Sequence, residues 1–313
     1  MDAGHDVTVV TTSAGPTEGY GYAVIRNPPP WKLCVVYGGA DILLFSNLAV
    51  RLIYPLVVLR RPFGLQHHSE SAFQLSRSPF SFDLLRRSVM RRAKHFVTSA
   101  YIGSKSGLEQ YVVTSPFANP DHITREVLVP VDQRSGALFV GRLESEKGIL
   151  YLLDRWAQIR DILKVNEIRI AGDGSLRTEV QRRISDGLDA VAYLGRLSLD
   201  KMAEEMGRSA FVLVPSLWEE PFGAVALEAV AAGALVVASN RGGLAEATGD
   251  LGFLYDPDDP ASFRAALHAA RKAFDRQVVD PKERAVREAA IGKHIAKFAP
   301  SVVVETIVSA FSD

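Results

Sequence analysis

The chain of 313 residues is short of three things. It has one cysteine, Cys34, so no disulfide forms within it and nothing marks an oxidising compartment. It has no excess of charge, because 36 Lys and Arg balance 36 Asp and Glu; the global basic field of a nucleic-acid binder is absent. It has no apolar run long enough to span a bilayer. Leu48 to Leu59 is cut by Arg51 and Pro55, and Ala224 to Ala238 contains Glu228, so both fall short of the roughly 18 to 20 residues required. The opening Met-Asp-Ala-Gly-His lacks the basic and apolar regions of a secretory signal, which makes a cytoplasmic protein the default expectation.

What is present is an ordinary globular balance, 47% hydrophobic and 23% charged, on a length of roughly two domains. Short β-branched runs recur at Val7 to Thr12, Ala23 to Ile25, Ile42 to Phe45, His95 to Thr98, Leu138 to Val140, Ile168 to Ala171, Phe211 to Val214 and Leu235 to Ala238. Segments of helical period, such as Gly148 to Ile162 and Ser175 to Ile184, lie between many of them. Continuously apolar strands alternating with helices predict an α/β fold of parallel sheets covered on both faces. Val-Pro-Val-Asp-Gln-Arg-Ser-Gly near 129–136 reads as a connector, giving a first domain over 1–131 and a second over 136–295. A last helix over 300–313 follows. Two doubly wound domains with a cleft between them are the expected architecture.

Charge is uneven along the chain. Up to Val131 there are 13 Lys and Arg against 9 Asp and Glu, and beyond it 23 against 27. Much of the early excess sits in Arg86-Arg87 and Arg91-Arg92-Ala-Lys94, interleaved with Leu84, Leu85, Val89 and Met90. The segment 82–96 therefore reads as a basic amphipathic helix, either covering a sheet or lying peripherally on an anionic membrane face.

Four places in the second half carry chemistry. In Phe139-Val-Gly141-Arg142-Leu-Glu-Ser-Glu-Lys147-Gly148 a strand ends at glycine, and two cations frame the loop before a helix. Arg142 can grip phosphate oxygens as a fork and Lys147 adds a point charge, although a solvated surface loop shows the same pattern. In Ile170-Ala-Gly172-Asp173-Gly174-Ser-Leu-Arg177 the last position of G-x-G-x-x-G holds Arg177, so the dinucleotide fingerprint fails; a glycine turn serving only packing is the stronger reading. Tyr193-Leu-Gly195-Arg-Leu197 offers a strand end and, alone, nothing more.

The informative place is Pro215-Ser-Leu-Trp-Glu-Glu220-Pro221-Phe222-Gly223-Ala224, which runs on through Glu228 to Gly233. Pro221 suits the first turn of a helix, which puts Glu220 just before it and Glu228 about two turns inside. Eight residues at 100° each return within about 80°, so both carboxylates are expected on one groove. The backbone N–H groups of Phe222, Gly223 and Ala224 would form a phosphate cradle at the positive helix end. A carboxylate can accept two sugar hydroxyls, and an unpaired Glu228 in an otherwise apolar helix would be costly.

Glu220 and Glu228 inside E-P-F-G-x4-E-A-x-A-x-G resemble the retaining family 4 glycosyltransferases of the GT-B fold, built from two Rossmann-like domains. The likeness continues in Val-Gly-Arg-Leu-x3-Lys-Gly at 140–148, Ala-Gly-Asp-Gly at 171–174, Leu-Gly-Arg-Leu at 194–197 and Gly242-Gly243-Leu-Ala-Glu246. The resemblance implies that Arg142 and Lys147 hold a donor diphosphate, that Glu228 binds the ribose and that Glu220 contacts the transferred sugar. Gly141, Gly172, Leu197, Phe222, Gly223 and Ala224 would complete the donor site. His68, in Gly64-Leu-Gln-His67-His68, matches the family's strand-end histidine, and Phe117-Ala-Asn119-Pro120 its loop before the interdomain linker. The last helix is expected to pack on the first domain. Gly4-His5-Asp6-Val7-Thr8-Val9-Val10-Thr11 matches a segment that relatives place after a first strand and helix, so the first sheet is expected to lack a central strand.

The implied activity transfers a hexose-like sugar, with retention, from a nucleoside-diphosphate sugar to an acceptor hydroxyl in glycan, polysaccharide or glycolipid synthesis. The acceptor would be a saccharide or a lipid-linked one. No cofactor is expected, and with no Asp-x-Asp pair at a strand end no metal either. A nucleotide-sugar-binding protein without transfer is the alternative. An epimerase lacks a placeable acid and base, and a dehydrogenase fails on the fingerprint.

Overall fold

The structure, a computed structural model, describes residues 4–46, 50–57, 59, 61–73, 83–115 and 129–312. The Asn119 loop lies outside them, as do Leu48, Arg60 and Phe82. The chain forms two compact units: Met1–Thr98, Ile102–Thr114 and Ser301–Asp313 make the first, Ser99–Tyr101 and Ser115–Pro300 the second.

In the first unit β1 (Thr8–Thr11) and β2 (Ala23–Arg26) pair in parallel as a two-stranded sheet. α1 (Pro30–Gly39), β3 (Leu43–Ser46), α2 (Val50–Ile53), β4 (Phe63–His67), α3 (Asp83–Met90), β5 (Lys94–Val97), α4 (Ala100–Ser106) and β6 (Val112–Val113) follow. Their strands form a parallel sheet in the order β3-β4-β5-β6 over a core of Leu33, Tyr37, Phe45, Phe63 and Leu65. Among the described residues no strand pairs β1 with β3, so each sheet keeps unpaired backbone edges. The segment 82–96 is not one helix. α3 ends at Met90, and Lys94-His-Phe-Val enters the sheet because Phe96 and Val97 are fully buried there. Arg92 donates to the Leu56 carbonyl at 2.7 Å and the Leu59 carbonyl at 3.2 Å, while Lys94 donates to Ala310 in the C-terminal segment of the same unit. Among the described residues no helix is long and apolar enough to cross a membrane.

The second unit runs β7 (Ser135–Val140), α5 (Ile149–Asp154), α6 (Trp156–Leu163), β8 (Ile168–Ala171), α7 (Arg177–Ser185), β9 (Val191–Gly195), α8 (Leu199–Arg208), β10 (Ser209–Val214), α9 (Ala224–Ala231), β11 (Leu235–Ser239), α10 (Leu244–Thr248) and β12 (Gly252–Tyr255). α11 (Pro260–Val279), α12 (Pro281–Ala296) and α13 (Pro300–Ser309) close the chain, α13 belonging almost wholly to the first unit. All six strands are parallel, in the order β9-β8-β7-β10-β11-β12. Both faces are covered, one by Leu152, Trp156, Leu267 and Phe274 among others, the other by Leu227, Val230, Leu244 and Phe298. The chain reverses its direction of travel across the sheet between β7 and β10. In open α/β sheets that switch point, beyond the carboxyl ends of the strands, is where ligands bind.

Candidate functional site

At that switch point lies a groove of about 700 Å³, wholly within the second unit. Its walls come from the loops after β7, β8, β9 and β10. Of the residues singled out from sequence, Gly141, Arg142, Lys147, Gly172, Leu197, Glu220, Gly223 and Ala224 line it.

Backbone contacts fix these loops against one another. The Leu217 N–H donates to the Glu146 carbonyl at 2.8 Å, tying the β10 loop to the β7 loop. Ser175 donates from its backbone N–H to Glu144 Oε1 (3.0 Å) and from its hydroxyl to Oε2 (2.5 Å), which holds the Glu144 carboxyl below the usual carboxylate range. Gly172 has φ +143°, and a Cβ there would overlap the Gly141 carbonyl oxygen. Loop packing alone therefore demands this glycine.

The charged centre is a pair joined across 73 residues. Lys147 Nζ lies 2.6 Å from Glu220 Oε1, with the two side chains 18% and 10% exposed. The Ser216 hydroxyl donates to the same Oε1 at 2.6 Å, and the Trp218 ring centroid stands 4.9 Å from Nζ. Arg142 is more open and meets Glu146 at 3.0 Å. Ser216 and Trp218 were not singled out from sequence. No local spacing in the sequence marks either residue.

The start of α9 differs from the sequence expectation. Pro221, Phe222 and Gly223 are not helical: Gly223 has φ +98° and caps a helix that begins at Ala224. A Cβ at Gly223 would stand 2.5 Å from Leu244 Cδ2. The angular argument placing Glu220 and Glu228 on one face therefore does not apply, because the intervening chain is not one helix. Glu228 sits half-buried one turn into α9 and, like Phe222, is not among the groove's lining residues. The Phe222 ring instead packs on Phe298, with centroids 5.5 Å apart. The first N–H groups of α9 have no partner within the helix and point toward its start, where Gly223 and Ala224 meet the groove.

His68 lies in the first unit just beyond β4, with Nε2 2.9 Å from Ser46 Oγ. Its neighbour His67 is fully buried, and His67 Nε2 meets His95 Nδ1 at 2.9 Å while His95 Nε2 meets the Met90 carbonyl at 3.0 Å. A carbonyl only accepts, so the proton order follows: His95 carries hydrogen on Nε2, His67 donates from Nε2, and His67 Nδ1 is left as a buried acceptor. That atom has no hydrogen-bond partner among the described residues. Burial, reinforced by His95 and His68, pushes the His67 pKa down to about 4; burial also lowers those of His68 and His95.

The glycosyl transferases group 1 family matches residues 134–272, the segment that builds the groove. The glycogen synthase of Mycobacterium tuberculosis is 36% identical over 156 residues, 49% of this chain and 36% of that protein. The lipopolysaccharide 1,2-N-acetylglucosaminetransferase of Salmonella typhimurium is 33% identical over 138 residues, 41% of this chain and 36% of that protein. The match thus spans about a third of the length of these curated relatives. Among solved structures, a glycosyltransferase from Rickettsia africae superposes with a TM-score of 0.76 at 17% identity, over 99% of this chain and 90% of that one. Anabaena HepE in complex with UDP and glucose superposes with a TM-score of 0.67 at 19% identity, over 99% of this chain and 100% of that one. Residues 134–272 thus match a glycosyl transferases group 1 domain, and the chain shares the α/β fold of solved GT-B glycosyltransferases.

Proposed function

We propose that the protein is a retaining glycosyltransferase of family 4, moving a hexose-like sugar from a nucleoside-diphosphate sugar to an acceptor hydroxyl. The observation that carries this reading is the largely buried Lys147–Glu220 pair beside Arg142 at the sheet's switch point. Departure of the nucleoside diphosphate builds negative charge on its outer phosphate. Arg142, Lys147 and the start of α9 would meet that charge without a divalent ion. Glu220, fixed by Ser216, would accept hydroxyls of the transferred sugar, and Glu228 those of the ribose. Glycogen synthase and an N-acetylglucosaminetransferase among the relatives favour a saccharide acceptor.

A second reading, donor binding without transfer, draws on the first unit's division into two sheets with unpaired edges.

The test begins with thermal unfolding in the presence of UDP, GDP, ADP, dTDP or CMP; UDP leads because HepE was solved with it. A nucleotide at about 100 times its dissociation constant stabilises by roughly 2.7 kcal/mol. One base should give the shift, and Glu228→Ala should abolish it. The corresponding sugar nucleotide should then yield a product of unchanged anomeric configuration by NMR, with or without EDTA. No shift in a cooperatively unfolding sample refutes the donor site. Binding without turnover selects the second reading, and turnover restored only by added Mg²⁺ or Mn²⁺ refutes the metal-free mechanism.

A further inference from the structure

The Lys147 ammonium has three N–H donors. One is spent on Glu220 Oε1 at 2.6 Å, and Ser216 fixes that oxygen from the other side. The face of Trp218 blocks a second direction, with its centroid 4.9 Å from Nζ. The backbone bond from Leu217 to the Glu146 carbonyl sets this arrangement, because Trp218 and Lys147 are the very next residues on the two loops. Trp218 is 38% exposed and is not among the groove's lining residues. It reaches the groove only through the lysine.

We infer that Trp218 is a positioning residue for diphosphate recognition: its indole and Glu220 clamp the Lys147 ammonium so that its remaining donor points into the groove, toward the outer phosphate of a nucleoside diphosphate. This rests on the donor site proposed above. A cation on an indole face is held electrostatically by the ring quadrupole, most strongly by Trp and less by Phe, and not by an aliphatic side chain of similar bulk. The clamp acts on the outer phosphate alone, so Trp218 contributes to preference for a diphosphate over the matching monophosphate and not to recognition of the nucleoside.

The experiment measures the affinities of UDP and UMP, or the matching pair for whichever base the unfolding panel selects, in wild type, Trp218→Leu and Trp218→Phe. The Leu variant should lose about fivefold in diphosphate affinity with monophosphate affinity unchanged, and the Phe variant should recover part of the loss. The backbone tie between the loops does not involve the indole, so both variants should unfold as wild type does. The emission of Trp218, isolated as the difference between wild type and Trp218→Phe over the background of Trp31 and Trp156, should change on adding diphosphate but not monophosphate. An unchanged preference in Trp218→Leu overturns the inference, as does equal loss of both affinities, which marks a structural role. If wild type binds neither nucleotide, the donor site itself fails and the inference falls with it. If wild type binds both and only the Trp218 variants behave as wild type, the donor site stands and the inference alone is refuted.

Discussion

Lowering the pH from 7 to 5 should loosen the first unit through His67. In the unfolded chain this imidazole protonates near 6.5, whereas in the folded protein it does so only near 4. Two features explain the difference. The ring is fully buried, and a proton added at Nδ1 would create a donor with no acceptor, because Nε2 already spends its hydrogen on His95. Between these two values the unfolded chain binds more protons, so the stabilisation is complete above pH 6.5 and is lost as the pH falls toward 4. At roughly 1.36 kcal/mol per pH unit the whole interval corresponds to about 3 kcal/mol, of which about 2 is lost between pH 7 and pH 5. His68 and His95 shift in the same direction and add to the loss. Hydrogen exchange at the amides of Leu65 and Phe96, corrected for intrinsic rates, reads opening of β4 and β5. In His67→Gln the acid loss should shrink by about 2 kcal/mol. Equal acid sensitivity in wild type and His67→Gln would refute the reasoning, since the buried imidazole would then contribute nothing to it.

Glu220→Ala should lower the stability of the second unit by about 2 kcal/mol, because it leaves a shielded Lys147 without its carboxylate, and thermal unfolding measures this. The same variant should lose at least about tenfold in kcat, because the proposed acceptor for the sugar hydroxyls is gone, and should also bind diphosphate more weakly, because Lys147 loses half of its clamp. Ser216→Ala should cost about 1 kcal/mol and less turnover than Glu220→Ala, because the Lys147 contact survives it. Gly223→Ala should destabilise by about 2 kcal/mol, from its left-handed φ and the clash with Leu244, and should weaken diphosphate binding by displacing the start of α9; unfolding and titration calorimetry check both.

The central strands were legible because they are buried on both faces. β8, β10 and β11 are buried at every position, and apart from Arg169 within β8 and the terminal Ser209 of β10 and Ser239 of β11 their residues are apolar, so they read as short apolar runs. β9 is half-buried throughout and β6 has two residues, which leaves little pattern to read. The start of α9 was misplaced because Pro221 is a strong local signal for a first turn, yet the left-handed Gly223 decides where helical geometry begins. Arg142, Lys147 and Glu220 were legible as types in motifs. Their arrangement was not, since the Lys147–Glu220 pair spans two loops brought together only by the pairing of β7 with β10. Trp218 and Ser216 draw their roles from that same approach, and no local spacing announces it.

The placement of β7 at the centre of its sheet has a further consequence, for how the protein is made. β7 leaves the ribosome before any other strand of its sheet, and its partners are β8 on one side and β10 on the other. β8 follows soon, but β10 begins 74 residues after β7, at Ser209 against Ser135. At roughly 5 to 20 residues per second the nascent chain waits about 4 to 15 seconds with one apolar edge of β7 open. During that interval Ala137, Leu138 and Phe139 are the surface that a chaperone would cover, or through which neighbouring nascent chains would associate. The seam that later cradles Arg142, Lys147 and Glu220 is thus also the join in this sheet whose two strands are made furthest apart in time, and synthesis at reduced speed lengthens the exposure of the strand that supports it.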